Sequence, residues 1–196
     1  MAQGLEKDML RKSIRGKNKA LSPEYTDSSD RMIADKLMGL TEYKTATTVF
    51  CFVSMPSEIN TLPLLRDMWR RGVRTAVPLC THPGVMQARL ITCMGDLDFG
   101  KYGILEPRST SRRLEKEHID FSIVPCLSCD SSGGRLGKGG GYYDRFLKNR
   151  RFKAAALCRE ILLSKKLPLQ EWDERVDMVV TEWRCIRACL KNPANV

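Results

Sequence analysis

The residues best placed to do chemistry form one run, Asp130-Ser131-Ser132-Gly133-Gly134-Arg135-Leu136-Gly137-Lys138-Gly139-Gly140-Gly141-Tyr142-Tyr143-Asp144. Six of the chain's fourteen glycines fall between Gly133 and Gly141, directly after the apolar segment 121–125. Glycine admits positive φ and lets the backbone approach a ligand closely. Successive amide N–H groups can then converge on an anion. A helix beginning near Tyr142 would add its positive end, and Arg135 and Lys138 add cationic side chains. The run therefore reads as a phosphate cradle at the C-terminal end of a strand, where open α/β sheets hold their ligands. A flexible loop without a ligand fits the glycine content equally well. Two familiar motifs are not met. Lys138 is followed by Gly139, not by the Ser or Thr of a Walker A loop. The dinucleotide fingerprint fails because Gly139 and Gly141 are followed by Asp144.

The elements that must position this run follow from periodicity. Leu5, Met9, Leu10 and Ile14 recur at helical spacing over 5–21. Ser22-Pro23 starts a second helix, Ser22 as N-cap and Pro23 at the first helical position. Strands are expected at 47–53, 74–78, 87–92, 121–125, 153–157 and 178–181, and further helices at 61–71 and 142–150. Residues 54–60 read as a polar loop, 95–107 as mostly loop, and 168–177 as irregular. Strands alternating with helices indicate an α/β fold, a three-layer αβα single domain with a mostly parallel, Rossmann-like central sheet. The expected domain covers 1–190, with 191–196 as a loose tail.

Composition narrows the partners. The 196 residues suit one sizeable core. Hydrophobic residues at 42% and charged residues at 29% exclude a chain that is disordered throughout. Thirty-three basic against twenty-three acidic residues give +10, a charge that attracts nucleic acid, anionic membrane or small polyanions. Neither a zinc-finger spacing nor a basic–aromatic interleaving supports nucleic acid. No stretch approaches the roughly 20 apolar residues of a membrane span, and the N-terminus has no signal-like apolar run. The eight cysteines read as reduced thiols, and the expected compartment is cytoplasmic.

The string Arg-Leu-Gly-x-Gly-Gly-Gly-Tyr-Tyr-Asp-Arg-Phe-Leu, from Arg135 to Leu147, resembles the signature of the 5-formyltetrahydrofolate cyclo-ligase family, also called methenyltetrahydrofolate synthetases. Four further places agree in order: Lys7-Asp8-Met9-Leu10-Arg11, Ser54 to Thr61, Gly103-Ile104-Leu105-Glu106-Pro107, and Val176 to Glu182. The resemblance covers nearly the whole chain. It implies the family's cyclo-ligase fold, ATP as co-substrate, Mg²⁺, and 5-formyltetrahydrofolate, in some cases polyglutamylated, as substrate. A monomer is expected, with no nucleic-acid or membrane partner.

The resemblance also implies site residues. Arg135, Gly137, Lys138, Gly139, Gly140, Gly141, Tyr142 and Tyr143 would form the phosphate cradle, with Arg135, Lys138 and Tyr143 in catalytic roles. Lys7 and Arg11, four apart on one helix face, would contact the nucleotide. Val53, Met55, Glu58 and Tyr102, with Lys138 to Tyr142, would hold the folate, Glu58 by accepting hydrogen bonds from the pterin. Asp144 and Asp177 are the expected metal ligands, since Mg²⁺ takes one or two carboxylates plus phosphate oxygens.

One departure stands out. Where the family usually has Pro-Gly-x-Ala-Phe-Asp before the glycine loop, this chain has Pro125-Cys126-Leu127-Ser128-Cys129-Asp130. The resulting Cys-x-x-Cys pair finds no evident ligand partners in the sequence: Cys185, Cys189, His82 and His118 lie in unrelated contexts. A relative that binds folate or nucleotide without turnover stays open as an alternative, and a basic nucleic-acid binder as a more remote one.

Overall fold

Alternation of side chains across the central strands decides the layering. In β1 (Thr48–Cys51) Val49 and Cys51 belong to one core and Phe50 to the other. The same split separates Ile123 from Val124, and Leu157 from Ala156. Both faces of the sheet are thus apolar and both must be covered. The computed structural model describes residues 2–100 and 104–189. In it α2 (Pro23–Gly39), α3 (Thr41–Thr45) and α4 (Leu62–Arg70) cover one face through Ile33, Leu37, Tyr43, Leu64 and Met68. On the other face lie α1 (Ala2–Lys19) and α5 (Tyr142–Leu147), through Ile14 and Leu147. This is the mixed α/β architecture expected from the alternation of strands and helices.

The remaining strands are β2 (Arg74–His82), β3 (Val85–Ile91), β4 (Leu97–Phe99), β5 (Leu105–Pro107), β6 (Arg113–Leu114), β7 (Phe121–Pro125), β8 (Ser128–Cys129), β9 (Arg135–Leu136), β10 (Lys153–Leu157), β11 (Met178–Val180) and β12 (Cys185–Arg187). The main sheet runs β12-β11-β10-β7-β1-β2-β3-β6. Its central strands, β11 to β2, are parallel. The edges β12, β3 and β6 are antiparallel. After β1 the chain moves to β2 on one side and later returns to β7 on the other. Such a reversal leaves a crevice beyond the carboxyl ends of the two diverging strands.

Several boundaries differ from expectation for local reasons. Strand β2 continues past Pro78 to His82 and pairs with β3 through a tight turn at Gly84, φ +77°. The segment 95–107 contains the antiparallel pair β4–β5. Helix α5 stops at Leu147, and Asn149 at φ 56° turns the chain away. In α1 only part of the expected stripe turns inward: Leu10 and Ile14 pack on the core, but Leu5 and Met9 are exposed and Lys7 is buried. No helix among the described residues is long and apolar enough to cross a membrane.

Candidate active site

The crevice at the β1/β7 switch point has a volume of about 640 Å³. Phe52 and Val53 after β1, Pro78 in β2 and Pro125 at the end of β7 form its apolar base. Lys7 and Arg11 enter from α1, and the chain from Arg135 to Arg145 closes over it. The structure thereby brings together most residues the sequence singles out: Lys7, Arg11, Val53, Met55, Glu58, Arg135, Gly137, Lys138, Gly139, Gly140, Gly141, Tyr142, Tyr143 and Asp144. Tyr102 lies outside the described residues.

Asp130 sets the entry to the glycine-rich loop. Its Oδ1 accepts from the Ser132 amide at 2.9 Å, the Ser132 hydroxyl at 2.6 Å and the Gly134 amide at 3.0 Å. Its Oδ2 accepts from the Leu167 amide at 2.9 Å. This side-chain mimicry of a turn folds β8 back on β9 and delivers Arg135 to the crevice wall. Gly139 and Gly141 then take φ +108° and +65°, a region that L side chains rarely adopt. Six-residue α5 follows, so loop amides and side chains, more than a helix terminus, supply the positive field.

Arg135 is the electrostatic centre of the loop, its side chain only 2% exposed. Its Nη2 donates to Asp144 Oδ1 at 2.9 Å and its Nη1 to the Pro125 carbonyl at 3.3 Å. Its Nε is buried with no partner among the described residues. A guanidinium held at a crevice wall by Asp144 is a fixed cation for an oxyanion ligand. The Arg135 guanidinium also lies 5.4 Å from the centre of the Tyr143 ring. Burial, reinforced by the Glu58 charge, pushes the Tyr143 phenol well above its ordinary pKa, so it stays protonated.

Asp177 does not join this group, contrary to the expected Asp144–Asp177 pair. It precedes β11, at the amino edge of the sheet. Its carboxylate takes Arg150 at 2.7 Å, Lys153 at 3.0 Å and the Ala154 amide at 2.9 Å. The resemblance at Val176 to Glu182 suggests Asp177 by its place in order, which does not say at which end of β11 it lies. Besides Asp144, Glu58 and Glu106, the crevice is lined by Asp173, which pairs with Lys7 and accepts from the Gln170 amide at 2.6 Å. The neighbouring Glu174 amide reaches Asp144 Oδ1 at 3.4 Å. Asp144, its bonds gathered on Oδ1, offers Oδ2 to a hard cation with oxygen ligands, whereas Asp173 is held by Lys7.

On the facing wall Lys138 Nζ lies 2.6 Å from Glu58 Oε1, while Glu58 Oε2 accepts from the Met55 amide at 3.0 Å. Arg11 Nε donates to the Gly137 carbonyl at 3.0 Å, fastening α1 to the loop. Sequence reasoning missed Arg145 and Gly84. Arg145 donates from Nε to the Gly84 carbonyl at 2.6 Å and from Nη2 to the Gly140 carbonyl at 2.5 Å. A Cβ on Gly84 would lie 2.0 Å from its guanidinium, and one on Gly141 2.9 Å. Arg145 therefore clamps the glycine loop to the β2–β3 turn. The signal available in the sequence was its place beside Asp144 in the signature string.

A crevice lined by a buried arginine, carboxylates and a glycine loop at an α/β switch point is where α/β enzymes hold their ligands. The chain belongs to the 5-formyltetrahydrofolate cyclo-ligase family, whose profile it matches over residues 3–182. It is 33% identical over 175 residues to the 5-formyltetrahydrofolate cyclo-ligase of Escherichia coli K12, covering 86% of this chain and 96% of that one. It is 28% identical over 200 residues to a probable 5-formyltetrahydrofolate cyclo-ligase of Schizosaccharomyces pombe, covering 93% and 98%. Its fold superimposes on the NMR structure of Aquifex aeolicus 5,10-methenyltetrahydrofolate synthetase with a TM-score of 0.84, at 28% identity and covering 95% and 94% of the two chains.

Proposed function

We propose that the chain converts 5-formyltetrahydrofolate to 5,10-methenyltetrahydrofolate with hydrolysis of ATP to ADP and phosphate. The observation that carries this reading is the buried Arg135 guanidinium held against Asp144 at the crevice wall, under a loop with left-handed glycines. A formamide oxygen is a poor leaving group. Transfer of the γ-phosphoryl group to it creates a phosphate leaving group, and attack by N10 on the activated carbon closes the five-membered ring. Such chemistry needs placement of reactants and neutralisation of phosphate charge, with no side-chain nucleophile.

In this reading Arg135, Lys138 and the amides of Gly137 to Tyr142 hold the transferring phosphoryl oxygens. Lys7 and Arg11 anchor the nucleotide. Tyr143 offers a neutral phenol as a hydrogen-bond donor. Val53 and Met55 pack on the folate, and Glu58 accepts from its pterin amino and ring N–H groups. Those contacts need Glu58 to exchange its bond with Lys138 for bonds to substrate. Asp144 would hold Mg²⁺, which supplies charge neutralisation on phosphate oxygens. The surplus of basic residues favours a polyglutamylated substrate, and we take the acting unit to be one domain in a monomer.

The test is direct. Protein is mixed with Mg·ATP and 5-formyltetrahydrofolate, and the near-UV absorbance of the methenyl product is followed beside ADP release. Matched formation of both is expected. Folate binding without either product would replace the reading with an inactive relative.

A further inference from the structure

Three thiols converge under the crevice floor. Cys126 follows β7, Cys129 lies in β8, and Cys158 follows β10. Their sulfur atoms all lie within 4.8 Å of one another, the one such group of potential metal ligands among the described residues. Cys129 and Cys158 are buried; Cys126 is half-buried and lines the crevice beside Pro125. The Cys-x-x-Cys pair is legible in the sequence, but its third partner is not. Parallel pairing of β7 with β10, Pro125 against Leu157, brings Cys158 alongside across a gap of about thirty residues.

Three sulfurs bound to one ion at a Zn–S distance of about 2.3 Å stand roughly 3.7–4.0 Å apart. The cluster closes to that geometry with little movement. As thiols, Cys126 Sγ donates to the Leu157 carbonyl at 3.1 Å and Cys158 Sγ to the Arg159 carbonyl at 3.5 Å. A metal ion displaces the thiol protons and takes the sulfurs as thiolates.

We propose that Cys126, Cys129 and Cys158 form a binding site for a thiophilic divalent cation of the Zn²⁺ class. Binding replaces three S–H bonds with three metal–sulfur bonds and releases three protons. A divalent ion with three thiolates carries one net negative charge. The Arg135 guanidinium, whose charge acts on both Cys126 and Cys129 while it stays paired with Asp144, offsets part of it. A monovalent ion would leave a second negative charge buried without compensation. Because Arg135 also pairs with Asp144, loading the site draws charge away from the glycine loop and lowers turnover.

The experiment uses the full chain, reduced and metal-free, titrated with Zn²⁺ or with Co²⁺ as a chromophoric probe and then passed over a chelating resin. One retained equivalent is expected, with Co²⁺–thiolate charge-transfer absorption. X-ray absorption should show three sulfurs at about 2.3 Å. Cys129→Ala and Cys158→Ala should each release that equivalent, whereas Cys93→Ser and Cys189→Ser, at exposed thiols, should keep it. Metal-free Cys158→Ala should turn over like the parent and lose its inhibition by Zn²⁺. Retention unchanged in Cys158→Ala, no retained equivalent in the parent, or an ion shell of oxygen and nitrogen overturns the proposal. Should both alanine variants fail to fold, the absorption spectrum of the parent protein alone decides. Metal retention is read without substrate, so its outcome is independent of the proposed activity.

Discussion

Arg135 and Asp144, nine residues apart, form a 2.9 Å ion pair in which the arginine side chain is almost wholly enclosed. The pair ties the start of the glycine loop to its end, so one contact fixes the loop's span. Asp144→Asn keeps the side-chain shape but removes the anionic ligand. Turnover should fall by about 10²–10³, the usual cost of one transition-state electrostatic contact, and Mg²⁺ half-saturation should rise. Steady-state rates across a Mg²⁺ titration check this; parental rates would remove Asp144 from the site.

Arg135→Lys tests the fork. Lysine keeps the charge but cannot span Asp144, the Pro125 carbonyl and a ligand oxygen at once. kcat/KM for ATP should drop about 100-fold, with folate binding by equilibrium fluorescence little changed. Equal weakening of both ligands would point to collapse of the loop instead.

Asp177→Asn separates stability from catalysis. Burial alone would raise the Asp177 pKa, but the Ala154 amide, Arg150 and Lys153 together hold it below the ordinary carboxylate value. The folded-state pKa is therefore depressed. Its stabilisation is complete above about pH 4 and is lost as pH falls through the lowered value. The variant should lose about 1–2 kcal/mol at neutral pH and show a flatter decline in acid, with kcat and Mg²⁺ dependence unchanged. Urea unfolding from pH 2 to 7 measures the first. A variant that needs more Mg²⁺ would restore Asp177 to the site.

Gly84→Ala probes the clamp from outside the glycine loop. The new Cβ meets the Arg145 guanidinium at 2.0 Å and sits at φ +77°. Arg145 must swing away from Gly140. Displacement on that scale should cost on the order of 10- to 100-fold in kcat/KM, with a stability loss near 1 kcal/mol from backbone strain. Unchanged kinetics would show that the β2–β3 turn does not position the loop.

How much of this was readable beforehand depended on whether a feature is local. The strands β1, β7 and β10 announce themselves by apolar runs, and Ser22-Pro23 caps α2 as its chemistry requires, Ser22 Oγ accepting from Tyr25 at 3.2 Å. The glycine loop was legible because glycine content is local too. Lys7 and Arg11 share a helix face by spacing, yet nothing local says that this face turns inward; the acceptor for Lys7 lies at Asp173. Asp177 was misplaced because a resemblance matches residues in order and does not say which end of a strand carries them. Cys158 and Gly84 matter only through parallel pairing and a turn, which are properties of the assembled sheet.

The bond between Lys7 and Asp173 spans 166 positions of the chain. A ribosome adding 5–20 residues per second needs roughly ten to thirty seconds to travel between them. Throughout that interval α1 lacks the acid that neutralises its inward lysine. A chain cut short before Asp173 would still seat that helix through Ile14 and the Arg11–Gly137 bond, but would leave the buried Lys7 without its acid.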